Sequence, residues 1–315
     1  MLYACYALAE QGLSFQAELE AIQARYQDII SGLGMTLSLA EEFAVIAENF
    51  RKRAGKDYAA SRGEYLNGKV IAAYLGFPFI DAAEVIFFRP NGALDDEKTA
   101  ATLRKRLEDM PNAVIPGFYG CGADGYVKTF SRGGSDVTGS IVAGAVKADL
   151  YENWTDVSGF LVADPRIVEH PAVIRTITYT ELRELSYMGA SVLHEAAIFP
   201  VRSAGIPINI RNTNAPEEPG TMIVPDSTEE ELSAYTITGI AGKKNFTSIS
   251  IHKDMMNSQI GFCRDVLNIL AEHRIPLEHM PSSIDSMTVI VDSEHLNGLE
   301  AVSYTHLRAH ETDSY

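Results

Sequence analysis

The chain has 315 residues, 46% of them apolar, and its 42 acidic side chains outnumber 26 basic ones for a formal charge of −16. That length accommodates two domains with real cores, and a pI near 4.9 argues against nucleic acid or an anionic membrane as partner. No apolar run approaches the ~20 residues that cross a bilayer, the start lacks a signal peptide's positive region, and Cys5, Cys121 and Cys263 form no CxxC pair, so the expectation is a cytoplasmic protein with free thiols.

Residues 1–54 read as helices. Phe15, Leu19, Ile22, Tyr26 and Ile29-Ile30 recur at helical spacing, and Ser38 with Glu41 has the form of a capping box before the stripe Phe43, Ile46, Phe50. Ser61-Arg-Gly-Glu64 precedes a helix-like stretch from Tyr65 to Leu75, which makes Glu64 a first-turn carboxylate. A strand-turn follows at Phe77–Asp81, a strand at Glu84–Phe88, a turn at Pro90-Asn91-Gly92 and a charged amphipathic helix from about Asp95 to Asp109.

Ala113–Phe118 reads as a buried strand leading into a turn rich in glycine (Gly120, Gly122, Gly125). Then comes Thr129-Phe-Ser-Arg-Gly-Gly-Ser-Asp136, ahead of an apolar helix from Val137 to Ala148. Ser135 and Asp136 stand where N-caps belong, Gly133 and Gly134 permit close backbone approach, and Arg132 supplies a planar cationic fork; an anion suits this arrangement. Asp149–Asp156 is the next strand, ending in Thr155 and Asp156, with a second loop running to Asp164-Pro-Arg166. Polar residues at the C-terminal ends of successive strands are how open α/β sheets build a ligand crevice.

The pair SRGGSDVT (131–138) and WTDVSGFLVADPR (154–166) resembles the aspartate kinase branch of the amino acid kinase family. The resemblance implies a three-layer α/β/α kinase domain at 1–225 and phosphoryl transfer from ATP, with Mg2+, to the β-carboxylate of L-aspartate. That reaction opens lysine, threonine and methionine synthesis. It assigns aspartate to Glu64 (ammonium), Gly117, Phe118, Arg132 and Ser135, catalysis to Arg132 and Asp136, and ATP to Thr155, Asp156, Asp164 and Arg166, with no protein-held metal. Two departures stand out: Leu161 replaces an adenine-side tyrosine, and Ser191 replaces a lysine that some members place before Val192-Leu193-His194. The family's Lys-Phe-Gly-Gly loop is not found, so the chain is expected to be a fragment with weakened or no activity.

Thr178 and Glu181 have capping-box spacing before a helix at Tyr179–Met188, and strands are expected at Ile206–Asn212 and Gly220–Val224. An acidic linker at 226–235 marks the domain boundary. Beyond it, strands at Tyr235–Ile240 and Phe246–His252, an amphipathic helix at Gly261–His273 and strands at Leu277–Met280 and Met287–Val291 resemble an ACT domain, α+β, at 236–302. The resemblance implies a lysine or threonine effector at Met256, Gln259, Glu278, Ser282 and Ser283, and a homodimer through ACT sheets. The tail 303–315 breaks the pattern and reads as non-native; His306 and His310, four apart, lack further metal ligands. Two alternatives stay open: another amino acid kinase, and a non-enzymatic amino-acid sensor. A dinucleotide-binding reading is disfavoured because no G-x-G-x-x-G follows the first strand.

Overall fold

A computed structural model describes residues 1–131, 133–188, 195–225 and 237–296. Arg132, Ser191, His194, the 226–235 linker and the tail from 297 onward, with His306 and His310, lie outside the described residues. The chain divides into two compact units, Met1–Ala241 and the part from Gly242 onward.

The first unit opens with helices α1 (Leu2–Glu10), α2 (Gln16–Gly32), α3 (Ala40–Arg51) and α4 (Lys56–Leu75). Phe15, Leu19, Ile22, Ile30, Phe43, Ile46 and Phe50 face inward at helical spacing and form one core with Leu66 and Val70 of α4. The Ser38 capping box does not form. Helix α3 starts at Ala40 with Leu39 at its cap, so Ser38 sits one residue too early and accepts only from the Ala40 N–H, at 3.4 Å.

Helix α4 begins nine residues before the expected start. Gly55 and Gly76 bound it, and the interior Gly63 and Gly68 are tolerated because packing outweighs their propensity cost of ~1 kcal/mol each. Glu64 is therefore an exposed mid-helix residue, not a first-turn one. The strand expected at Glu84–Phe88 is instead a short helix α5 (Ala82–Val85), because the Asp81 carboxylate caps the Ala83 N–H at 3.0 Å; single bridges then join Phe87 to Cys121 and Phe88 to Leu94. Helix α6 (Asp96–Leu107) is capped by Asp95.

Strands β1 (Tyr119–Cys121) and β2 (Val127–Thr129) form an antiparallel hairpin, so Gly120 belongs to a strand rather than to the turn. Of the strand expected at 113–118, only Val114 pairs, in a parallel bridge with Phe79. Helix α7 (Gly134–Val146) leads to β3 (Tyr151–Thr155), β4 (Thr176–Thr178), α8 (Tyr179–Tyr187), α9 (Glu195–Ser203), β5 (Ile208–Asn212) and β6 (Thr221–Val224). The four strands make one mixed sheet in the order β3-β5-β6-β4, with β3 parallel to β5. The Thr178–Glu181 capping box is present.

Residues 237–240 form no strand; they close the first unit, with the Ile240 N–H bonded to the Val162 carbonyl at 2.7 Å and Gly239 against Leu185 and Ile174. The division between units thus falls after residue 241, later than the acidic linker suggests. The second unit holds β7 (Phe246–His252), α10 (Phe262–Glu272) and β8 (Ser286–Asp292). Strand β8 pairs β7 on one side and meets His279 and Ser282 on the other. Val266 and Leu270 of α10 cover Met287, Val289 and Val291.

Candidate active site

Backbone meets backbone closely where the Gly117-Phe118 turn reaches the start of α7. A Cβ on Gly117 would stand 2.9 Å from the Ser135 Cα, and one on Gly134 would stand 2.9 Å from the Phe118 Cα. Phe118 takes a φ of 80°, rare and strained for an aromatic residue. The strain is held from both sides: its N–H donates to Thr138 Oγ1 (3.1 Å), its carbonyl accepts from the Phe130 N–H (3.0 Å), and the Thr138 hydroxyl donates to the Gly134 carbonyl (2.7 Å). Ser135 and Asp136 are not caps. Gly133, left-handed, occupies that position with no side-chain bond, and the first internal bond runs from the Val137 N–H to the Gly133 carbonyl. The N–H groups of Gly134, Ser135 and Asp136 precede that bond, which makes this helix start an anion seat.

Asp136 is tied to β3. The Asn153 amide donates to its Oδ1 at 2.9 Å and the Tyr151 hydroxyl donates to its backbone carbonyl at 3.1 Å. Burial pushes the Tyr151 phenol up to about 12, with the nearby Asp136 charge adding to the rise against the Asn153 hydrogen bond. Gly139 makes room for that ring: a Cβ there would lie 2.7 Å from the phenolic oxygen. Asn153 and Thr155 share one face of β3 by strand alternation, so Asn153 ties the α7 start to the strand face that carries Thr155.

At the C-terminal ends of β3 and β5, two loops are pinned together. Thr213 donates to the Thr155 carbonyl from both its N–H and its hydroxyl, at 2.8 Å each, and the Asn212 amide donates to Ser158 Oγ at 2.9 Å. Thr221 Oγ1 accepts from the Phe160 N–H and donates to the Ile174 carbonyl, closing the loop's base beneath Gly159, whose φ is 107°. Leu161 pairs with Val173 across the loop. Asp164 grips Arg166 in a paired contact, the shortest at 2.6 Å, on a strongly exposed arginine. Thr155 is half-buried and Asp156 exposed.

Residues 9–212 match the model of the amino acid kinase family. The chain belongs to that family, in its aspartate kinase branch. Aspartokinase 3 of Bacillus subtilis is 39% identical over 286 residues, 86% of this chain and 62% of the relative. The crystal structure of aspartate kinase from Clostridium acetobutylicum superposes with a TM-score of 0.82 at 51% identity, over 99% of this chain and 71% of that one. Aspartokinase III of Escherichia coli, solved with aspartate and ADP, gives a TM-score of 0.66 at 26% identity, over 92% of this chain and 69% of that one. The chain thus spans less than two thirds of the length of the Bacillus relative.

Within this amino acid kinase frame, Gly117, Phe118 and Ser135 meet directly, Asp136 stands beside them through β3, and Thr155, Asp156, Asp164 and Arg166 share the β3 loop. Glu64 is exposed on α4, apart from that junction, and its charge is felt by Tyr26. Asn153, Tyr151, Asn212 and Thr213, which hold these elements, escaped the sequence reading; for Asn153 a polar residue inside a strand that must be buried was the available signal. Among the described residues no three His, Cys, Asp or Glu converge as a metal cage, and no helix is long and apolar enough to cross a membrane.

In the second unit Met256 is buried in the core, so its side chain is not presented to a ligand. Gln259, Ser282 and Ser283 lie in two segments joined by hydrogen bonds from the Lys253 N–H to the Asp285 carbonyl, the Met255 N–H to the Asp285 carboxylate and the Asn257 N–H to the Ile284 carbonyl. Glu278 stands apart from them, four residues along the same edge segment from Ser282, beside Lys243 at 4.0 Å and bonded through its N–H to Ile290.

Proposed function

We propose that the chain carries out the aspartate kinase reaction, with the first unit binding L-aspartate and MgATP and the second unit an ACT-like module for an amino-acid effector, lysine or threonine. What carries the reading is the strained Gly117-Phe118 turn clamped against the uncapped start of α7, a rigid seat for a carboxylate. Arg132 and Ser135 hold the substrate's carboxylate and Glu64 its ammonium, which matches both charges of a free amino acid. Thr155, Asp156, Asp164 and Arg166 hold the nucleotide at the β3–β5 loops. Magnesium arrives as the nucleotide's counter-ion, the role a hard cation takes where carboxylates are few and phosphates many.

The nucleophile is a carboxylate, already ionised near neutral pH, so no general base is needed. Its oxygen forms a bond to the γ-phosphorus as the bond to the β,γ-bridging oxygen breaks; the electron pair leaves on ADP, and 4-phospho-L-aspartate is formed. The protein's work is to align two anions and neutralise the charge between them. Asp136, fixed by Asn153, orients the cations around the transferring group.

The second unit's helix on one face of a three-segment antiparallel edge fits an ACT-like module, and pairing through the edge of β7 that no described strand occupies would make a cytoplasmic homodimer. Calorimetric titration tests the reading. L-Aspartate and MgATP should each bind, and Ser135→Ala should weaken aspartate about fivefold, as the loss of one hydrogen bond does, with MgATP unaffected. Binding of lysine alone, with neither aspartate nor nucleotide taken up, would leave an amino-acid sensor in its place.

A further inference from the structure

Asp57 lies in the first turn of α4, the helix that also carries Glu64. Both oxygens of its carboxylate are engaged by one residue: Oδ2 accepts from the Thr129 N–H at 3.3 Å and Oδ1 from the Thr129 hydroxyl at 3.1 Å. Thr129 ends β2 and leads directly into the 130–133 loop that precedes α7. The contact therefore joins the helix bearing Glu64 to the loop that delivers Ser135.

Helical spacing gives the joint its meaning. Glu64 is seven residues beyond Asp57 and Gly68 eleven, close to two and three whole turns, so all three fall on one face of α4. At one end of that face Asp57 holds Thr129. At the other, Gly68 sits so close that a Cβ would meet Pro116 Cβ at 3.3 Å, one residue before Gly117. Glu64 stands between these two fixed points along the helix.

We propose that Asp57 is a positioning residue for the amino-acid substrate: through Thr129 it sets the distance between the ammonium-binding Glu64 and the carboxylate-binding start of α7. The role rests on the aspartate kinase reading. It is specific to one substrate, because the nucleotide loops are held by Thr213, Asn212 and Thr221 and share no bond with Asp57.

Calorimetric titration of the full chain with L-aspartate, and separately with MgATP, tests this. Asp57→Ala should weaken aspartate about tenfold, the scale of a lost charged hydrogen bond, and leave MgATP within about twofold. Thr129→Val, which keeps the backbone bond, should fall between. Asp57→Asn can accept from the Thr129 N–H and donate to its hydroxyl, so it should restore affinity to within about threefold, as should Thr129→Ser. Unchanged aspartate affinity in folded Asp57→Ala overturns the role. So does a parallel loss of both ligands in Thr129→Val, which would mark a general fold contact. A wild-type chain that binds MgATP but no aspartate overturns the substrate reading, and the Asp57 role falls with it.

Discussion

The two halves of the proposed site are held by different means. On the side proposed for aspartate, backbone meets backbone: Gly117, Phe118 and Gly134 approach so closely that almost any added atom collides, and the contacts span distant parts of the chain. On the side proposed for nucleotide the loop's base is held by Thr221 and Asn212, and its charged tip is the half-buried Asp164 gripping the strongly exposed Arg166. A small zwitterion gains from a preformed seat, because little ordering remains to be done on binding. A large polyanion can close an open loop around itself, drawing on the arginine donors that a local ion pair leaves over.

The comparison breaks first at Gly159. An alanine there would place its Cβ in collision with Thr221 while forcing a left-handed backbone. Gly159→Ala should cost about 3 kcal/mol or more, seen as a lower thermal midpoint and lost nucleotide binding. Gly134→Ala strikes the other half. Its Cβ would meet the Phe118 Cα at 2.9 Å, and overpacking of this kind costs about 1–3 kcal/mol; aspartate affinity should drop further than MgATP affinity in the same titrations.

The same contrast explains what the sequence made legible. The RGGSD and WTDV stretches announce the seat and the crevice because their chemistry is local: glycines beside an arginine, polar residues at a strand end. The course of α4 was not legible, because Gly63 and Gly68 look like breakers and only the packing of Leu66 and Val70 against α1–α3 shows why the helix runs through them. Asp57 was invisible for a related reason. Its partner is 72 residues away, and no spacing rule reaches that far. The ACT-like effector set divides on burial: Met256, at the start of a 3-10 turn, is core, whereas Gln259, Ser282 and Ser283 are surface.

Acid sharpens the comparison with a smaller effect. Glu181 is drawn up by partial burial, but hydrogen bonds from Thr238, the Thr178 N–H and the Thr178 hydroxyl outweigh this and hold it below the usual carboxylate range. A lowered folded value means the contribution is present above the unfolded value near 4.5 and is lost as pH falls through the folded one. The capping box and the 237–240 segment, whose Ile240 is bonded to Val162, should therefore loosen below about pH 4.5, near the nucleotide loop and not at the aspartate seat. Amide hydrogen exchange at pH 7 and pH 4 would locate the change, and Glu181→Gln should remove its pH dependence.

The smallest effect is expected at Arg166. Its pairing with Asp164 is exposed, and such pairs contribute about 0–1 kcal/mol, so Arg166→Ala should leave the thermal midpoint within about a degree. The guanidinium spends only Nε and Nη2 on Asp164, and its other donors can reach a phosphate without breaking that pair. MgATP affinity should fall about threefold to tenfold, with aspartate untouched. The chain's single tryptophan, Trp154, gives the readout: it stacks on Arg211, 4.7 Å from the ring centre, immediately before Thr155. Its fluorescence should follow nucleotide but not aspartate titration. Equal responses to both ligands would mean that the two halves are one cooperative unit, and that the difference in how they are built does not separate how they bind.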